Sequence, residues 1–109
     1  MPNDVKSKKG KMIFGNKIRE LRESNGLLMR QLAAFLEVDT ATISKIERGE
    51  PHMKRNQVLR LSKFFKVNPE ELLTLWLGEK VYKVVEEDEL GLNALKVAEQ
   101  QLKYKTTQK

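Results

Sequence analysis

The sequence predicts an all-α fold: five helices closing one core over residues 13–77, followed by a further helical segment over residues 78–105. Two observations carry this. Apolar residues recur at helical spacing in segment after segment, and Asn25-Gly26, Asp39-Thr40 and Asn68-Pro69-Glu70-Glu71 punctuate those segments as helix stops and starts. The length of 109 residues suits one core and is too short for two independent ones.

Residues 1–12 are polar and basic, with Lys6, Lys8, Lys9 and Lys11 and no apolar periodicity. They predict a disordered arm, either simply solvated, as most lysine-bearing termini are, or of the kind that tracks phosphates or enters a minor groove. From Ile13 the pattern turns helical, because Phe14, Ile18 and Leu21 fall at i, i+4 and i+7 among charged residues. Asn25-Gly26 closes this helix, since both residues tolerate the left-handed backbone. A short second helix over 29–36 gathers Leu32, Ala33 and Leu36 on one face. Asp39 supplies an N-cap carboxylate for a third helix from Thr40 to Arg48 that buries Ile43 and Ile46, with Gly49 as its stop. After a polar loop over 50–55, Val58, Leu61 and Phe65 mark a fourth helix from about Asn56 to Lys66. In the next start signal Asn68 caps, Pro69 takes the first helical position, and Glu70 and Glu71 sit where the helix dipole favours them. The fifth helix carries Leu72, Leu73, Trp76, Leu77, Val84 and Val85, more apolar surface than a core of this size requires. The acidic run Glu86-Glu87-Asp88-Glu89 and Gly91 mark a bend before a last helix, about Leu92 to Tyr104, with Leu92, Leu95, Ala98 and Leu102 on one stripe. There is no internal repeat and no low-complexity segment.

Charge is distributed unevenly. The net charge is +6, but residues 1–66 hold 15 Lys/Arg against 7 Asp/Glu, and residues 67–109 hold 6 against 8. This segregation points to a polyanionic partner for the N-terminal part. The absence of cysteine excludes disulfides, thiolate zinc sites and cysteine nucleophiles. No run of 18 apolar residues is present, and MPNDVKSKKGK lacks the apolar stretch of a signal peptide, so a cytoplasmic location without membrane association is expected.

Residues 26–49 meet the demands of two closely crossing helices joined by a turn. Ala33 is the small residue at the crossing, Val38 plugs the turn, and Ile43 and Ile46 are the branched residues buried by the second helix. On these residues the sequence resembles the Cro and cI-like (phage-repressor-type, Xre-like) helix-turn-helix family. The likeness runs from about Phe14 to Leu73 and includes Leu32-Ala33, Leu36, Val38, Thr42-Ile43-Ser44, Ile46-Glu47, Gly49, Val58, Leu61, Phe65, Val67 and Glu71-Leu72-Leu73.

The resemblance implies a five-helix lambda-repressor-like DNA-binding domain. Its third helix would lie in the major groove of double-stranded DNA, with Thr40, Ala41 and Lys45 at base edges and Thr42 and Ser44 at phosphates or neighbouring bases. Backbone contacts would come from Met29, Arg30 and Gln31 at the start of the second helix and from Arg48, His52, Lys54 and Arg55 around the following loop. Two positions depart from the family's pattern. Met29 replaces a glutamine that holds phosphate, leaving the backbone amide and its neighbours to compensate. Glu37 replaces a turn glycine, at a strain of about 1 kcal/mol if it is left-handed. The resemblance also implies a structural ion pair between Arg22 and Glu47, and a homodimer on a palindromic operator with half-sites roughly 34 Å apart.

Trp76, Leu77, Val81, Val84, Val85, Leu92, Leu95 and Leu102 are the candidate dimer contacts, although the last helix can equally fold back on its own domain. Two further readings remain open: an antitoxin that autoregulates through the helix-turn-helix and binds a toxin protein through the C-terminal segment, and an interaction module that no longer binds DNA. No catalytic residues, metal or cofactor are expected. His52 stands alone in a polar loop, the run Glu86–Glu89 lacks calcium-loop spacing, and no glycine-rich phosphate loop occurs.

Overall fold

Helical spacing becomes burial along the first five segments. The computed structural model describes residues 13–50 and 52–107, so the basic arm expected over residues 1–12 lies outside the described residues. The elements are α1 (Ile13–Ser24), α2 (Met29–Leu36), α3 (Thr40–Glu47), α4 (Arg55–Phe65), α5 (Pro69–Val85) and α6 (Gly91–Thr107). The described residues up to Glu79 form one compact unit and those from Lys80 a second.

In the first unit Phe14, Ile18, Leu32, Ile43, Val58, Leu61 and Leu72 are almost wholly removed from water and form the centre of the core. α3 packs against both α1 and α2. The α1 crossing depends on Gly15, where an added Cβ would lie 2.6 Å from the carbonyl oxygen of Ile46 and 2.7 Å from that of Glu47. Thus a second small residue, besides Ala33, sets the helix separation.

The turn between α2 and α3 closes on Glu37, which is left-handed at φ 61 and ψ 44, while the Val38 amide donates to the Ala33 carbonyl at 3.0 Å. Glu37 therefore does adopt the conformation that glycine occupies most easily. Lys66 ends α4 in the same way at φ 58, a second strained cap that its sequence does not advertise. Phe35 and Phe64 stack with centroids 4.4 Å apart, and Arg60 lies over Phe35 while donating to its carbonyl at 2.8 Å, so α2 and α4 are joined on their outer side too.

Element ends shift slightly. α3 stops at Glu47, with Arg48 as its C-cap, and α4 starts at Arg55 because Gln57 Oε1 accepts from the Lys54 amide at 2.8 Å. Trp76, a candidate dimer contact, belongs instead to the core. It is 6% exposed and its indole N–H donates to the Met53 carbonyl at 2.8 Å, which uses both its apolar ring and its polar tip within one domain. In the second unit, α6 begins where Gly91 touches Val85.

Candidate nucleic-acid interface

α3 has two faces of opposite character. Ile43, Ile46 and Glu47 point inward, while Thr40, Ala41, Lys45 and Arg48 are exposed and Thr42 and Ser44 are half-buried. Thr40, Ala41, Ser44, Lys45 and Arg48 recur at i, i+1, i+4, i+5 and i+8, so they share one outward stripe. The helix starts on Asp39, whose Oδ1 accepts from the Thr42 amide at 2.8 Å and the Thr42 hydroxyl at 2.6 Å. These bonds hold the Asp39 carboxyl below the usual carboxylate range, chiefly through the Thr42 hydroxyl. Thr42 thus uses its only hydroxyl proton inside the cap and presents lone pairs alone to any ligand. Ser44 Oγ accepts from Arg48 Nη1 at 2.6 Å, and Arg48 also lies 3.6 Å from Glu50.

At the start of α2, Arg30 and Gln31 are exposed, whereas the Met29 side chain packs against the core. Leu28, as N-cap, has no side chain able to accept a hydrogen bond, and Gln31 Oε1 turns back to accept from the Leu28 amide at 2.8 Å. The amides of Met29 and Arg30 consequently have no side-chain cap, while the Gln31 amide donates to the Leu28 carbonyl at 3.0 Å. Beyond α3, His52, Lys54 and Arg55 are exposed around Met53, which is 4% exposed and tied to Trp76. That anchor gives the cationic loop a defined position. His52 Nε2 lies 3.4 Å from Glu50, so Glu50 attends both His52 and Arg48.

α3 thus offers an outward stripe behind a packed turn, with exposed cations at the start of α2 and in the loop beyond α3. The helix-turn-helix domain family matches residues 13–75. This chain belongs to that family. Among similar proteins are the HTH-type transcriptional activator BcrR of Enterococcus faecalis, 36% identical over 69% of this chain and 35% of its own length, and the uncharacterized HTH-type transcriptional regulator RghRB of Bacillus subtilis (strain 168), 41% identical over 55% of this chain and 44% of its own. The control protein C.BamHI of Bacillus amyloliquefaciens is 31% identical over 58% of this chain and 79% of its own. The chain thus spans less than half the length of the first two relatives. No solved structure matches.

The helix-turn-helix is braced from behind. Arg22 Nε donates to Glu47 Oε2 at 2.7 Å and Nη2 to Oε1 at 3.1 Å, while Nη1 donates to the Leu27 carbonyl at 3.0 Å. These bonds to Glu47 raise the guanidinium pKa beyond its already high value, and the fork ties α1 to the end of α3 and to the loop before α2. The structure therefore brings Arg22 and Glu47 together, with Glu47 on the buried side of α3.

Sequence reasoning missed three contributors to the site: Gly15, the Trp76–Met53 anchor, and the Arg60–Phe35–Phe64 cluster. Only Gly15 left a signal, since a glycine inside a helical pattern weakens the helix and calls for a packing reason. Among the described residues no group of three or more His, Cys, Asp or Glu side chains is placed to hold a metal ion, and no helix is long and apolar enough to cross a membrane.

Proposed function

We propose that this chain is a sequence-specific, double-stranded DNA-binding transcriptional regulator that acts as a homodimer on a palindromic operator. The observation that carries this is the uncovered stripe of α3, opposite a buried one, with Arg30 before it and Lys54 and Arg55 after it in sequence also exposed. Lys45 donates to guanine acceptors in the major groove, and Thr40 and Ala41 offer methyl contacts to thymine. Arg30, Gln31, Arg48, His52, Lys54 and Arg55 address phosphates, and the uncapped amides at the start of α2 take the role that the Met29 side chain cannot. The names of the relatives point the same way. Thr42 and Ser44 act mainly by shaping this surface, through Asp39 and Arg48 respectively.

Selection from a random-sequence DNA library followed by mobility shift should enrich a two-fold-related motif. Lys45→Ala should weaken binding to that motif by roughly 10-fold or more, in line with about 1 to 3 kcal/mol for a base contact, without altering thermal stability. Enrichment of no motif, or unchanged affinity in Lys45→Ala, refutes the assignment.

A further inference from the structure

α6 has 17 residues, of which only Gly91 is buried. Its apolar stripe, Leu92, Leu95, Ala98 and Leu102, is left mostly in water: Leu95 is half-buried, but Leu92 is 75% and Leu102 65% exposed. Most helical stability in proteins comes from packing an apolar face, so a stripe left in water calls for a cover. The stripe is a narrow seam of the kind that fits another helix, and Val97 and Tyr104 lie on the far side as separate exposed residues.

The charges around the seam are arranged asymmetrically. The acidic run Glu86-Glu87-Asp88-Glu89 precedes the helix, Lys103 and Lys105 occupy its last turns, and Lys96 and Glu99 flank its middle. We infer that the seam is covered by α6 of a second copy running antiparallel, with Leu95 over the partner's Leu102 and Ala98 beside the two-fold axis. The inference rests on the homodimer proposed above and adds its surface and direction. In this register Lys96 lies within one turn of the partner's Glu99, and the partner's Lys105 falls opposite Leu92, about one turn from Glu89 at the end of the acidic run. The helix dipoles oppose favourably as well. A parallel pair would instead set carboxylates against carboxylates and lysines against lysines, a juxtaposition that interfaces select against. The second copy is thus the partner whose charges this helix complements end for end.

The sequence contains no cysteine, so single-cysteine variants report the register directly. Under mild oxidation Ala98→Cys should form an intermolecular disulfide. Leu92→Cys alone should not, because the two copies of that position lie about 20 Å apart along the axis, far beyond the roughly 4 to 7 Å between the Cα atoms of a disulfide. Mixed Leu92→Cys and Lys105→Cys chains should cross-link to each other. Leu102→Glu should halve the sedimentation mass while leaving the thermal melt of the first unit unchanged. Cross-linking of Leu92→Cys to itself overturns the antiparallel direction. A wild-type chain that is monomeric at tens of micromolar overturns the second copy, whether α6 then folds back or receives a different protein such as a toxin. A dimer that selects a two-fold DNA site and survives Leu102→Glu refutes this inference and leaves the DNA reading intact. A dimer cross-linked through Ala98→Cys that selects no DNA does the reverse.

Discussion

Arg22→Met removes one half of the brace behind α3 while keeping the length of the side chain. The wild-type pair makes two hydrogen bonds, at 2.7 and 3.1 Å, and its side chains are 9% and 4% exposed. The variant leaves the Glu47 carboxylate buried without its cation and the Leu27 carbonyl without its donor. Breaking a buried pair from one side costs about 3 to 5 kcal/mol, against a total stability of about 5 to 15 kcal/mol for a domain. Each kcal/mol lowers the melting temperature by about 4 to 8 °C at this size, so the variant should melt at least 12 °C below the wild type. Trp76 is the sole tryptophan and is buried in the same core, so urea titration followed by its fluorescence reads the effect directly. Arg22→Met combined with Glu47→Leu should recover most of the loss, since no unpaired charge remains. A cost below about 1 kcal/mol in the single variant, the range of an exposed pair, would refute this reasoning. Loss of DNA binding in a variant of unchanged stability would do so equally, by making Arg22 a contact instead of a brace.

Gly15→Ala should destabilise the first unit by about 1 to 3 kcal/mol in the same titration, because its methyl group meets the α3 backbone, which has no room to yield. Glu37→Gly should stabilise by up to about 1 kcal/mol by relieving the left-handed conformation; a loss of stability would mean that the added freedom of the unfolded chain outweighs the strain. The Asp39 carboxyl is held below its ordinary value by the Thr42 hydroxyl and amide, so its contribution is present above the unfolded pKa of about 4 and is lost as pH falls through the lower folded value. Thermal melts from about pH 7 down to pH 2 should show that loss in the wild type and a flatter acid limb in Asp39→Asn.

Much of the candidate site was legible because it depends on local chemistry. Asp39 caps α3, and the spacing of Ile43 and Ile46 leaves Thr40, Ala41 and Lys45 on the other face, whatever the remaining chain does. The Thr42 hydroxyl donates to Asp39 and the Ser44 hydroxyl accepts from Arg48, bonds that helical spacing alone does not announce. Trp76 was misplaced for a related reason. An apolar side chain late in a long helix can face its own core or another molecule, and helical spacing does not distinguish these; the Met53 carbonyl, 23 positions away, decides it.

By itself, the sequence determined the number and type of elements, the turn chemistry between them and the stripe that α3 turns outward, because each follows from contacts within three or four residues along the chain. Only the tertiary structure decided which small residue lets α1 approach α3, which aromatic ring anchors the cationic loop, and which apolar residues stay uncovered on α6. Those outcomes depend on which surfaces meet across long separations in sequence, where close packing tolerates one arrangement and periodicity alone is silent.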